Sequence, residues 1–93
     1  MKKRELKAGC IVRSKAGRDE GRYFIVLSLD GDEFAYVADG DLRKVEKPKR
    51  KRVKHLYVTE ELVYSLQSKL MAGENVENHV IRRSLETFKQ KEG

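Results

Sequence analysis

The sequence predicts a mainly β domain with an α-helical tail, an α+β chain in which strands come first and helices last. Three observations predict it. Short apolar runs of strand type, cut by glycine-bearing turns, occupy residues 10–58. At Thr59 the apolar spacing changes from a strand-like to a helical period. The chain has 93 residues, 39% of them charged, which leaves material for one small core.

The elements follow in order. "CIVRSK" (10–15) is a strand candidate, and "AGRDEG" (16–21) interrupts it with two glycines around a charged centre. "RYFIVLSL" (22–29) is nearly continuous in apolar residues and reads as a strand buried on both faces. Asp30-Gly31, "EFAYVA" (33–38), Asp39-Gly40 and "LRKV" (42–45) come next. Asp-Gly between apolar runs signals a type I′ hairpin turn, so residues 22–45 read as a three-stranded meander. "VKHLYV" (53–58) supplies a fifth strand. A flat sheet of five such short strands would expose its edges, so a small barrel or a strongly twisted sheet is expected.

From Thr59 the pattern is helical. Thr59 reads as an N-cap, with Glu60 and Glu61 where the helix dipole favours anions. Leu62, Leu66 and Leu70 recur every four residues, and Gly73 is placed to end the helix as its C′ residue. A second helix is expected over about 75–89, with Val76, Val80, Ile81, Leu85 and Phe88 as its apolar stripe. Helices this short must pack on something. The domain reading is therefore a β unit over 1–58, with a basic loop at 46–54, and a two-helix tail over 59–93.

Several function classes are set aside. One cysteine, Cys10, permits no intrachain disulfide and no metal-binding thiol pair; it reads as a small buried hydrophobe. "MKKRELKAG" has the charge of a secretory n-region, but no apolar segment follows it, and no run approaches the ~20 apolar residues that span a bilayer. The expectation is a soluble, cytoplasmic chain without a membrane partner. No metalloprotease, nucleophile-elbow or phosphate-loop motif accompanies His55 and His79, and the glycines of "AGRDEGR" lack dinucleotide spacing. The reading is not an enzyme: no catalytic residue, metal, cofactor or small-molecule substrate is assigned, and His79 is expected to face solvent.

Charge carries the main functional signal. Net charge is +6 overall, but residues 1–58 hold 16 Lys/Arg against 9 Asp/Glu while residues 59–93 hold 5 against 6. Within 41–59, "DLRKVEKPKRKRVKHLYVT", eight residues are basic and two acidic. Arg43 and Lys44 lead into it, Lys47, Lys49, Arg50, Lys51, Arg52 and Lys54 surround Pro48, and His55 closes it. Proline removes a donor and disfavours helix, so an extended loop is expected. Such a loop laid along phosphates would release counterions; the plainer reading is a solvated tether. Arg13, Lys15, Arg18 and Arg22 bracket the 16–21 turn, where Asp19 and Glu20 are placed to hold arginine forks outward. Tyr23, Tyr36, Tyr57, Phe24 and Phe34 lie in strand candidates; they could stack on bases, and core packing is the simpler role.

"AGCIVRSKAGRDEGRYFIVLSLDGDEFAYVADG" resembles a KOW motif, a strand, a glycine-bearing loop and a second strand within a small SH3-like barrel, with Gly21 as the marker glycine. Its continuation, "VADGDLRKVEKPKRKRVKHLYVT", is similar to the archaeal and eukaryotic large-subunit ribosomal protein family fourteen. It is more similar still to the small bacterial KOW-domain RNA-binding proteins related to that family. The resemblance covers about residues 5–90. It implies an SH3-like barrel of about five strands that binds structured RNA, ribosomal RNA above all, in the ribosome, its assembly or translation quality control, with ribosomal proteins as further partners. It places the RNA contacts on the 16–22 loop and the basic run.

Two other readings belong to different classes. KOW and SH3-like barrels of transcription factors dock on proteins, which an exposed apolar patch on the helices would favour. The strand-helix-helix order of residues 55–88 also resembles ribbon-helix-helix DNA-binding dimers, although that segment is nearly neutral and the basic charge lies upstream.

Overall fold

A computed structural model describes residues 5–92. The first four residues of the basic start "MKKRELKAG" lie outside the described residues. The chain forms five strands and two helices: β1 (Cys10–Ser14), β2 (Tyr23–Asp30), β3 (Phe34–Ala38), β4 (Lys49–Arg52), β5 (Leu56–Leu62), α1 (Tyr64–Met71) and α2 (Asn78–Glu92). A mainly β sheet followed by two helices is the α+β class that the sequence predicts. All pairings are antiparallel, in the order β4-β3-β2-β1-β5.

The chain itself forces this sheet to curl. β4 and β5 are consecutive in sequence yet sit at opposite edges, joined only by a 3-10 turn, Val53–His55. A flat five-stranded sheet would hold its outer strands about 19 Å apart. Four residues of extended chain reach at most ~14 Å. The strands therefore roll toward each other around a core of Val12, Phe24, Val26, Val37 and Leu56, with Cys10 buried among them. No ladder joins β4 to β5, so the sheet stays open.

The other face of β1, β2 and β3 carries Ile11, Ile25 and Ala38, and the helices cover it. Leu66 of α1, Val76 of the connection and Ile81, Leu85 and Phe88 of α2 complete this second core. Phe88 meets Tyr23 edge-on, with ring centroids 5.3 Å apart. The helices thus dock on the sheet, as their apolar stripes require.

Four expectations are corrected. Residues 42–45 are not a strand. The Asp39 carboxylate accepts the Asp41 and Arg43 N–H groups at 2.9 Å each, and the Arg43 carbonyl accepts the Asp39 and Gly40 N–H groups. This locally bonded loop removes the donors a ladder would need. Asp30-Gly31 does turn the chain, but through a three-residue connection in which Gly31, and not Asp30, has positive φ; a type I′ turn needs both. The 46–54 segment is not one extended loop: residues 49–52 add a strand to β3. Helix α1 starts at Tyr64 instead of near Thr59. The Thr59 hydroxyl donates to the Ile11 carbonyl at 2.6 Å, and Leu62 pairs with Cys10. Long-range pairing with β1 outweighs the local capping signal. The expected boundary at 58/59 accordingly falls inside β5.

Other local signals hold. The Gly73 N–H reaches the Leu70 carbonyl and the Glu74 N–H the Lys69 carbonyl, a Schellman closure with Gly73 at φ 74°. Helix α2 begins at Asn78, three residues later than expected at 75, because Asn78 is engaged by the 39–46 loop. Its Oδ1 accepts the Val45 N–H and its Nδ2 donates to Glu46, both at 2.9 Å. That amide, first among the causes, holds the Glu46 carboxyl below the usual 4.5. A lowered folded-state value means this contribution is present above the unfolded value and lost as pH falls through the folded one.

Gly40 has φ 77°, and a Cβ there would fall onto the Asn78 carbonyl oxygen. Gly40→Ala is expected to destabilise by about 2 kcal/mol or more, against about 1 kcal/mol for Gly17→Ala, which meets open space and keeps only the left-handed penalty. Urea denaturation of the two variants compares them; equal losses would show that α2 does not press on the loop.

Candidate nucleic-acid interface

β4 reads "KRKR", which carries no apolar alternation, yet it alternates in space. Lys51 lies opposite Ala35 and Lys49 opposite Val37, and both partners are buried. The two lysines therefore share the inner, concave face at the open edge of the sheet. Arg50 lies opposite Tyr36 and Arg52 opposite Phe34 on the outer face. One strand thus divides its charge into an inward pair of lysines and an outward pair of arginines.

The inward pair is structural in its contacts. Lys51 is only 9% exposed; its Nζ donates to Ser14 Oγ at 2.7 Å and lies 3.6 Å from Asp19 Oδ2. Lys49 Nζ is 4.0 Å from the same oxygen. Asp19 therefore holds lysines of β4, where the sequence reading had it hold arginines. Gly17 and Gly21, at φ 79° and 88°, let the chain turn tightly here, and the Gly21 N–H returns to the Ser14 carbonyl at 2.9 Å. The outcome is a 16–21 loop latched against β4.

The outward pair surrounds an aromatic ring. The Arg50 guanidinium carbon stands 3.6 Å from the Phe34 centroid, and that of Arg52 stands 5.0 Å from it. Arg50 Nε also donates to Asp30 Oδ2 at 2.9 Å. Phe34, expected to be core, is half-buried and forms the floor of this surface. The sequence did not separate Phe34 from the core aromatics because what distinguishes it is β4 beside it; the register of Phe34 against Arg52 carries that signal.

Loop and strand together bound a groove of about 650 Å³. It gathers Arg18, Arg43, Arg50, Arg52 and His55 around Phe34, with Lys49 and Lys51 on its inner wall. Arg18, Arg50 and Arg52 are exposed; Arg43 and His55 are half-buried. Lys47 and Lys54 are exposed on the chain leading into and out of β4. Lys44 is exposed beside Glu46 and helps lower its carboxyl. Arg22 is apart, 3.9 Å from Asp39. Arg13 and Lys15 lie by Tyr57 in a separate depression, and the Lys15 N–H donates to the His55 carbonyl at 2.8 Å. His79, as expected, is exposed, with Nδ1 3.2 Å from Glu77.

Among the described residues, no group of three or more His, Cys, Asp or Glu side chains is arranged to hold a metal ion. None of the described helices is long and apolar enough to cross a membrane. The strand of the ribbon-helix-helix reading, β5, is hydrogen-bonded to β1 within the chain, and the helix that would follow is packed on the sheet. No protein-family model matches the chain, and no curated protein matches it.

Lys51→Met keeps the aliphatic stem and removes the ammonium from Ser14 and Asp19. A loss of about 1–3 kcal/mol is expected, the range for hydrogen bonds to charged groups and the groups they leave unpaired. Faster amide hydrogen exchange at Gly21 and Arg22 should accompany it. Unchanged exchange there would mean that the lysine does not latch the loop.

Proposed function

We propose that this protein is a non-enzymatic, cytoplasmic RNA-binding protein. Its KOW-like, SH3-like β unit takes structured RNA in the groove between the 16–21 loop and β4. Ribosomal RNA is the foremost ligand, bound in the ribosome, during its assembly or in translation quality control, with ribosomal proteins as neighbours. The observation that carries the reading is the convergence of two separate basic segments on one groove: Arg18 from the loop and Arg43, Arg50, Arg52 and His55 from the 41–59 run. A solvated tether would have no reason to place its arginines on one face over an aromatic ring. The rolled antiparallel sheet, with a 3-10 turn joining its two edge strands, supports the SH3-like reading, and the sequence resemblance supports RNA as the polyanion.

Phosphate contacts supply the affinity in this proposal, and RNA shape with 2′-hydroxyl contacts supplies selectivity. Arg18, Arg52 and Lys54 are exposed and, among the described residues, have no ion-pair partner. They are the strongest phosphate ligands, since no carboxylate competes for them. Arg22 and Arg50 each face an aspartate and attract phosphate less.

A second reading has one observation in its favour. Tyr64 and Met71, seven residues apart on α1, are 72% and 76% exposed. A protein partner seated there would ignore changes in the groove.

Fluorescence anisotropy with a ribosomal RNA hairpin tests the leading reading. For about five phosphate contacts on single-stranded segments the slope of log K against log salt should be roughly −3.5. Changing Arg18, Arg52 and Lys54 together to Ser should flatten it by about 2 and leave the circular dichroism spectrum intact. A slope near zero in the wild-type protein would sink the RNA reading and advance the docking one.

A further inference from the structure

The contacts of Arg50 are poorly suited to simple phosphate attraction. Its Nε is bonded to Asp30 at 2.9 Å, so its charge is already partly compensated. Its position, by contrast, is fixed twice, by that bond and by the Phe34 ring, whose centre lies 3.6 Å from the guanidinium carbon. The side chain is still 48% exposed, and among the described residues nothing bonds its two terminal nitrogens. A guanidinium 3.6 Å from the centre of a ring and half exposed suits a stacking platform: it is planar, delocalised and weakly hydrated. Tyr36 lies opposite it on the same face of the sheet, and Arg52 and Arg43 border it with charge that, among the described residues, no carboxylate neutralises.

We propose that the Phe34–Arg50 pair is the binding site for one unpaired base of the RNA, which stacks on the exposed face of the Arg50 guanidinium while neighbouring phosphates reach Arg43 and Arg52. The proposal rests on the RNA reading above and narrows it to RNA with a bulged or looped-out nucleotide. In a continuous duplex both faces of each base are taken by its neighbours, so the platform has nothing to stack on. An extruded base offers a free face. Stacking tolerates sequence, because every base has a π-face, so the site selects for an unpaired position before it selects for a base. A role limited to the fold is the contrasting account: Asp30, Phe34 and Arg50 would then only tie β4 to the β2–β3 turn.

The test compares two RNA hairpins that differ at one nucleotide, a single-adenine bulge and the same bulge made abasic. Both carry the same phosphates. The full-length protein is titrated with each. Stacking of one base is expected to make the adenine hairpin bind about tenfold tighter, within the roughly 5- to 150-fold that aromatic stacking of a base gives. Phe34→Leu and Arg50→Lys should each bring that ratio close to one. Arg50→Lys keeps the charge and removes the plane, so it reads the stack even if Phe34→Leu fails to fold. Arg18→Ser should weaken both hairpins alike and leave the ratio standing. Equal binding of the two hairpins by the wild-type protein overturns the stacking site while leaving RNA binding in place. A ratio that survives Arg50→Lys also overturns it. Failure to bind either hairpin overturns the RNA reading itself, and the stacking site with it.

Discussion

Three residues of 3-10 helix join the two outermost strands of the sheet, and most of the architecture follows from that short tie. Because β4 cannot lie a full sheet-width from β5, the strands must bend around the Val12–Phe24–Val37 core. The bend carries β4 toward the end of β1, where Lys51 meets Ser14 and Asp19. It also frees the opposite face of the central strands for the helices. A small chain with 39% charged residues obtains two thin cores in this way, one inside the curl and one under the helices. Each core leans on the same three strands, so curl and helix docking are coupled through Ile11/Val12 and Ile25/Val26, neighbours that point to opposite sides.

Much of this was legible in the sequence. β1, β2 and β3 match their apolar runs to within a residue or two, because their faces are buried by residues that are themselves apolar. Gly73 closed α1 as its position implied. β4 was illegible for a physical reason. Its inward positions are lysines, whose stems lie along apolar surface while Asp19 and Ser14 receive their charge, so the period-two signal exists in burial and not in hydropathy. "LRKV" misled in the opposite sense. It has strand composition, but Asp39 takes the Arg43 N–H from within the loop and Asn78 takes the Val45 N–H. Thr59 offered a good cap to a helix, but its hydroxyl also donates to a carbonyl of β1, the neighbouring strand in the sheet, and the backbone stays extended. In the last two cases polar side chains hold the backbone away from the expected element, and no periodicity argument sees such bonds.

The candidate site was legible as composition and not as geometry. The basic run and the 16–22 turn stand out as charge, and the groove unites most of their residues. What the sequence could not divide was the charge left exposed from the charge that holds the fold. Lys51 is spent inside the fold, Lys49 leans toward the same aspartate, and Arg22 faces Asp39. Counting basic residues therefore overstates the charge available to a polyanion.

That division also bears on why β4 uses two kinds of cation. The inward site requires a compact charge on a flexible stem that can reach one hydroxyl and one carboxylate around a corner, which suits an ammonium. The outward site sets a flat group against a ring, which suits a guanidinium. Exchanging the two types would leave the net charge unchanged and lose both sets of contacts. A polycation selected only for phosphate would be indifferent to that order. The alternation of Lys49, Arg50, Lys51 and Arg52 with the pleat thus answers two separate demands, one from the curl of the sheet and one from the Phe34 ring on its outer face.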